Sequence, residues 1–531
     1  MADWSVINGL IAERRARYRA AGHWTGRSLF ELAQWRADLS PDLAVSDADG
    51  RRSLVGLLAA SGMLRDRLVA QGVERASRVL MVPSHGVGDV AVLLAASRMD
   101  LVVALSPPGA GVREVVESAA RSGCGSVLIS DTHALADRLA QEALGIRVLA
   151  HGGGGEVRQL NGQAPRGRPA DGRLPRVCDS TRYITFTAGT TGEPKGVQHH
   201  ADTLSYAGRW AVAAAAPRSG PIIGVLSPSH AAGLAFSVFA TLESGRSLIL
   251  RNGRWHPDAV IAAMRQNDVA YGLLTPTHVL DLVARLEGEG SALDGVTIAS
   301  GGAPVAPSLV ERADRVGIAL CRIFGLSECV GHSTFRSSEP LATRMSGEGR
   351  PYPGTTVTAL DATGQSVVGE RGEAACEGPS MFLGYVGESD PGSCLDERGR
   401  YRTGDIVEVD AAGRVTVVGR LKDTIIRGGQ NIDPAEVERA LVACEGVRAA
   451  AVRPFSDDRL GQRVGAVVVA SEGAHVDGVA SSLLASGLAR HKIPERWVFV
   501  DALPVTSIGK HDRSTLDSML RSAGEASGDT V

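Results

Sequence analysis

Along this chain, short unbroken apolar runs alternate with longer stretches that have one apolar side. RVLMVP (78–83) and LVVALS (101–106) predict strands, and VGDVAVLLAASR (87–98) between them predicts an apolar-faced helix. That is a β-α-β unit of a parallel sheet, whose strands are buried on both faces and read as continuous apolar runs. YITFT (183–187), SLILR (247–251), YGLLT (271–275), VTIAS (296–300) and IALCRIF (318–324) repeat the pattern with helical stretches between them. The Gly-, Pro- and Arg-rich segment 151–176 predicts a loop. From about 350 the texture changes to short strands and turns (VTALDATG, GEAACEG, RVTVVGR), which predicts a small β-barrel or meander. The last hundred residues predict a separate α+β domain. Its first helix, PAEVERALVA, starts with Asp433 at N-cap, Pro434 at N1 and Glu436 at N3. A second helix is predicted at VASSLLASGLAR (479–490), with strands at AAAVRPF, RVGAVVVA and ERWVFVDAL. The junction falls at 420–423, dividing the chain into 1–421 and 422–531.

Length supports the division, since 531 residues exceed one ordinary hydrophobic core. Composition (44% apolar, 22% charged, net charge −3) is that of a globular protein. No basic block stands out, so no nucleic-acid partner is expected. The seven cysteines are scattered and never closer than eight positions apart, a spacing that predicts neither a zinc site nor a disulfide framework. The opening residues mix acids and arginines where a signal peptide needs an apolar core. No apolar run reaches transmembrane length. A cytoplasmic protein without stable membrane association is expected. One feature of composition adds to the picture. Of 56 basic residues only Lys195, Lys422, Lys492 and Lys510 are lysine. Where arginine is the default, a surviving lysine marks a place that needs a compact point charge on a flexible stem.

The densest chemistry lies directly after a predicted strand, in Thr187-Ala188-Gly189-Thr190-Thr191-Gly192-Glu193-Pro194-Lys195-Gly196. Glycines free the backbone to wrap an anion, hydroxyls donate to phosphate oxygens, and Lys195 adds positive charge. A plain polar hairpin is the structural alternative. The P-loop of NTPases is excluded, because it needs Gly before its Lys and Ser or Thr after, whereas here Pro194 precedes and Gly196 follows.

This segment resembles the phosphate-binding signature of the acyl-CoA synthetase, luciferase and peptide-synthetase adenylation-domain superfamily. Further blocks follow in that family's order: Phe324-Gly325-Leu326-Ser327-Glu328, Tyr401-Arg402-Thr403-Gly404-Asp405, Gly419-Arg420-Leu421-Lys422-Asp423 with Arg427-Gly428-Gly429, and Pro504 through Gly509-Lys510. Three of the four lysines fall inside these blocks, and Lys492 sits in another family-like stretch. The resemblance implies two α/β subdomains plus a β-barrel, followed by a small mobile C-terminal α+β domain. It implies that Thr187, Gly189, Thr190, Thr191, Gly192 and Lys195 bind the phosphates of ATP. Gly301, Gly302 and Ala303 would follow the adenine edge, Phe324 would stack on the base, and Gly325 and Ser327 would sit beside the α-phosphate. Glu328 would ligate Mg²⁺, a cation that prefers hard oxygen donors beside phosphates. Asp405 would accept the ribose hydroxyls, Arg420 would contact the ribose or phosphate side of the nucleotide, and His230 would gate the acyl pocket.

Lys510 is the expected catalytic cation, because attack of a carboxylate on phosphorus brings two anions together. The implied reaction activates a small carboxylic acid as its acyl-AMP and then forms a thioester with coenzyme A. Rotation about Lys422 would exchange Lys510 for the Gly428–Gly429 hairpin. An acyl carrier protein stays open as the alternative acceptor, since both acceptors carry the same pantetheine arm. A catalytically dead relative is disfavoured by the retained Lys195, Glu328, Asp405, Arg420 and Lys510. Two departures from the pattern stand out: Ala188 replaces the usual serine of the phosphate loop, and Phe324 and Ser327 replace the commoner tyrosine and threonine.

Overall fold

The computed structural model describes residues 4–107, 109–142, 145–152, 155–161, 175–187, 195–215, 218–251, 253, 255–387, 395–423, 425–427, 430–457, 459–471, 475–486, 488–506 and 511–526. Two mainly parallel sheets carry the first two-thirds of the chain. In the seven-stranded sheet the order is Val157–Gln159, Arg147–His151, Ser126–Ser130, Arg78–Val82, Val102–Leu105, Tyr183–Thr187, Lys195–His199, and only the two edge pairings are antiparallel. The predicted loop 151–176 therefore contributes a short edge strand before it leaves the described residues.

The continuous apolar runs are explained by burial on both faces. Val79 and Met81 point into one core with helix Val87–Arg98, while Leu80 and Val82 point into another with helix Val112–Ser122. A nine-stranded sheet repeats the logic, with Ala299 and Ile323 on one side and Ile298 and Leu320 on the other. The largest core contains Leu105 and Tyr183 of the first sheet and Ile222 and Leu248 of the second, so it joins the two. Helix Ala201–Ala215 contributes to that core, and its Gly208 permits a close crossing. A Cβ there would meet the Ala235 carbonyl oxygen at 2.4 Å.

A third, five-stranded antiparallel sheet has the order Ser366–Val367, Thr356–Leu360, Arg371–Glu377, Tyr401–Val409, Val415–Arg420. It stands where the barrel is expected, but among the described residues its two end strands do not pair with each other. The end strand Ser366–Val367 is only two residues long, too short to close a ring.

From Ile425 onward a further sheet forms from Gln430–Ile432, Ile425–Arg427, Gly461–Ala470 and Val447–Asp457, with Arg496–Phe499 added in parallel. Among the described residues no apolar cluster mixes side chains before 418 with side chains after 424. Helix Pro434–Val442 begins as predicted, with the Asp433 carboxylate accepting from the Ala435 amide at 3.0 Å. Glu436 does not close the capping box. Its carboxylate is held instead by Lys492 at 2.7 and 2.8 Å, which gives that lysine a structural task. The helix predicted at 479–490 runs Val476–Ala485, and the chain turns before residue 490. No described helix is long and apolar enough to cross a membrane.

Three histidines are sealed inside the N-terminal layers. Burial lowers His151 to about 4, His199 to about 3 and His332 to about 4. In the unfolded chain an imidazole titrates near 6.5, so between that value and about 4 only the unfolded state takes up these protons. Their contribution to stability is therefore complete above about pH 6.5 and is lost as pH falls toward 4, at about 3 kcal/mol for each imidazole. Denaturation midpoints followed from pH 7 to 4 should fall steeply, and His151→Gln should flatten part of that fall. A flat profile for the wild type would refute the assignment.

Candidate functional site

Thr187 ends one strand and Lys195 begins the next, and the two are direct cross-strand partners. Ala188, Gly189, Thr190, Thr191 and Gly192 between them lie outside the described residues. Lys195 is exposed, and its ammonium sits 4.6 Å from the centre of the Tyr385 ring.

Strand Ile318–Phe324 delivers the next group. The chain leaves it in a tight loop in which Leu326 and Cys329 exchange amide hydrogen bonds of 3.0 and 3.2 Å. The His332 amide then returns to the Phe324 carbonyl at 2.7 Å. Gly325 is required for this reversal, since a Cβ would come within 2.6 Å of the Gly331 nitrogen. Ser327 is half-buried at the tip, and Glu328 is buried. The Glu328 carboxylate accepts a hydrogen bond from the Tyr385 hydroxyl at 2.5 Å, with the Tyr401 hydroxyl 3.1 Å beyond. Burial first, and then the neighbouring carboxylate, push the Tyr385 phenol well up, which keeps it a donor. Phe324 is 5% exposed and belongs to the apolar cluster of Met381, Phe382 and Tyr401. Stacking on a base would require that ring, or what covers it, to move.

Asp405 is aimed by a bulge. Along strand Tyr401–Val409, the partners of Glu373 and Ala375 are Ile406 and Arg402, so two extra residues are looped out opposite Ala374. Bulges of this kind re-aim a side chain. Gly404, at φ +73°, supplies the left-handed step that the bulge needs. Asp405 ends up buried, directly opposite Arg420, whose Nε donates to its carboxylate at 2.5 Å. Burial pushes the Asp405 carboxyl up, and the Arg420 guanidinium pulls it part of the way back. Arg420 is the last residue of its strand, and Lys422 follows at once in a 3₁₀ turn, Leu421–Asp423. The next carboxylate, Asp423, is gripped by both terminal nitrogens of Arg513.

Gly301, Gly302 and Ala303 leave the C-terminal end of strand Val296–Ser300, the edge at which open α/β sheets bind ligands. Gly302 adopts φ +80°. His230 is half-buried and caps a three-residue helical turn, Ala231–Gly233, which continues as a π-helix, Leu234–Phe239. That irregular winding is frequent at functional sites and was not visible in the apolar pattern. It brings the Phe236 ring against Gly331 in the Glu328 loop, where a Cβ would meet it at 2.6 Å. Gly428, Gly429 and Lys510 lie outside the described residues.

The fold also brings Cys376 to a pair of donors, Cys329 and His332, three positions apart in the sequence. Cys329, His332 and Cys376 are fully buried, with their ligand-type atoms within 4.8 Å of one another. Among the described residues no fourth donor joins them, one short of a closed structural zinc site.

The structure thus presents an exposed lysine, Lys195, a buried carboxylate, Glu328, and the Gly301–Gly302 pair at the end of a parallel strand. Asp405 and Arg420 add a buried charged pair, and an arrangement of this chemistry fits a nucleotide-dependent enzyme. Comparison with known proteins agrees: residues 34–386 match the AMP-binding enzyme family, and residues 436–510 match the AMP-binding enzyme C-terminal domain. The chain belongs to that family and is an AMP-forming ligase that uses ATP. It is 30% identical to a salicylyl-CoA synthase / salicylate adenylyltransferase of a Streptomyces species, over 97% of both chains. It is also 30% identical to the salicyl-AMP ligase / salicyl-S-ArCP synthetase of Mycobacterium tuberculosis, over 97% of this chain and 94% of that one. Among solved structures, ATP-bound MatB from Rhodopseudomonas palustris superposes with a TM-score of 0.77 at 25% identity, over 92% of this chain and 98% of that chain.

One tight joint of the site is Gly301 against Ile323. A Cβ at Gly301 would meet the Ile323 carbonyl oxygen at 2.3 Å, and main chain cannot yield as a side chain does. Gly301→Ala is therefore expected to destabilise the N-terminal layers by about 1–3 kcal/mol, the usual range for overpacking. Thermal melting checks this, and an unchanged melting temperature would show that the two strand ends separate freely.

Proposed function

We propose that this enzyme activates an aromatic carboxylic acid as its acyl-AMP and transfers the acyl group to coenzyme A. The observation that carries the nucleotide half is the placement of the Lys195 ammonium and the Glu328 carboxylate around one tyrosine, Tyr385. A phosphate-seeking cation and a hard oxygen donor are thereby held on one rigid group. Glu328 suits Mg²⁺, which takes one or two carboxylate oxygens and completes its shell with water and phosphate. Bound there, the ion would neutralise phosphate charge.

The remaining work falls to side chains. Thr187, Gly189, Thr190, Thr191, Gly192 and Lys195 bind the phosphates, and Gly301, Gly302 and Ala303 line the base. Asp405, held by Arg420, accepts the ribose hydroxyls. Lys510 places its ammonium between the attacking carboxylate and the α-phosphate, lowering the repulsion as charge spreads over the phosphoryl oxygens. The division at 421/422 makes residues 422–531 a domain that turns about Lys422, taking Lys510 away and bringing Gly428 and Gly429 to the thiol. The aromatic acid is supported by the salicylate-activating relatives at 30% identity, and by the small Ala231 and Ala232 beside His230. The Mycobacterium relative, whose name includes an aryl carrier product, supports a carrier protein as the second acceptor reading.

Lys510→Ala is expected to slow adenylation by at least about 10², the scale of losing one preorganised transition-state contact. Conversion of pre-formed acyl-AMP to thioester should be nearly unchanged, and equal loss in both half-reactions would defeat the division of labour. Pyrophosphate release from salicylate, hydroxycinnamates and medium-chain fatty acids, with coenzyme A or a phosphopantetheinylated carrier, tests the substrate and the acceptor together. Aromatic acids with coenzyme A should give the highest kcat/KM. Preference for the carrier or for a fatty acid by more than about tenfold, some 1.4 kcal/mol of transition-state binding, would overturn that half of the proposal.

A further inference from the structure

We propose that Tyr385 is a positioning residue that orients the Glu328 carboxylate for its metal ion and couples it mechanically to the phosphate hairpin. This rests on the reading of Glu328 as the magnesium ligand. Tyr385 lies in FLGYV, a stretch to which neither motif nor mechanism has assigned a task.

Its main chain is fastened to the strand that begins with Lys195. Val197 and Tyr385 form an isolated antiparallel bridge, and the Gln198 side-chain amide donates to the Tyr385 carbonyl at 3.0 Å. On either side, the Gln198 amide donates to the Gly384 carbonyl at 3.0 Å, and the Val386 amide donates to the Gly196 carbonyl at 2.8 Å. The ring is braced by Phe382, centroid to centroid at 5.0 Å and tilted by 68°, and the Lys195 ammonium sits 4.6 Å from its centre.

From this fixed base the hydroxyl reaches Glu328 Oε1 at 2.5 Å. The same segment also holds the main chain of Glu328, because the Phe382 amide donates to the Glu328 carbonyl at 2.8 Å. Both ends of Glu328 are thus held by residues 382–385, so its carboxylate is oriented before any nucleotide arrives. A metal-ligating carboxylate that is itself hydrogen-bonded is better oriented, and losing such a partner typically costs 10–100-fold in metal affinity. The bland alternative is a buried phenol that has merely found an acceptor. It predicts an effect on stability alone.

Tyr385→Phe separates the two, since it keeps the ring, its packing and the contact with Lys195 and removes only the hydroxyl. The measurement is Mn²⁺ binding to the full-length protein with α,β-methylene-ATP, read from the free-ion EPR signal. KM for the acid and the melting temperature are taken alongside. Tyr385→Phe should weaken Mn²⁺ binding by about 10–100-fold and change KM for the acid by less than about twofold. Glu328→Gln is run in parallel. If Glu328→Gln weakens Mn²⁺ binding and Tyr385→Phe does not, whatever the melting temperature, the positioning role is overturned while Glu328 stays the ligand. If Glu328→Gln leaves Mn²⁺ binding unchanged, both readings fall together. A loss in Tyr385→Phe shared equally by ion and acid would mark general disruption and would also overturn the proposal.

Discussion

Glu328 is a carboxylate buried where three sheets meet, and much of the surrounding architecture exists to make that placement tolerable. An ionised group out of water needs partners, and leaving one unpaired costs several kcal/mol. The partner here, Tyr385, reaches Glu328 from a segment pinned to the seven-stranded sheet, while the loop bearing Glu328 grows from the nine-stranded sheet. Tyr401, the next hydroxyl in the chain of donors, belongs to the antiparallel sheet. One apolar cluster seals the junction, drawing Val197, Phe324 and Val407 from the three sheets in turn. The three layers are therefore locked together at Glu328, the proposed metal ligand.

A second polar junction lies at the boundary of the last domain. Asp405 and Arg420 face each other across adjacent strands, and the chain passes from Arg420 into the 421–423 turn without an intervening loop. Asp423, one residue beyond Lys422, is bound in turn to Arg513, which opens the last helix. A run of four residues thus joins the proposed ribose contact to the proposed pivot. A rotation there would be felt by the nucleotide through Arg420, and a bound nucleotide would bias the rotation through the same residue. Two-state coupling of this kind needs a differential contact in the two states, and Arg420 is placed to provide one.

Most of the parallel strands were legible in the sequence. Burial on both faces demands continuous apolar runs, and 78–82, 183–187, 271–274, 296–300 and 318–324 are such runs. The Gly/Thr segment stood out for a related reason. A backbone proposed to wrap an anion needs glycines and hydroxyls at adjacent positions, which leaves a contiguous signature. The end of helix 479–490 was misplaced because its apolar periodicity continues past Ala485, where the helix ends with Ser486 as its C-cap. Glu436 read as half of a capping box because the sequence cannot show that Lys492, 56 positions away, competes for it.

What the sequence alone determined was a set of local obligations: which runs must be buried, where a helix may start, and which segments concentrate glycines and hydroxyls. These depend on neighbours a few positions apart, so the chain writes them out in order. The tertiary structure decided who meets whom. Tyr385 beside Glu328, Phe236 against Gly331, Arg513 on Asp423, and the buried gathering of Cys329, His332 and Cys376 each join residues whose sequence separations have no common rule. The two-residue bulge that turns Asp405 inward belongs here too, because a strand's register is defined only against its partner. Side-chain placement at such points follows from the packing of whole sheets on one another, and no short window of sequence contains that information.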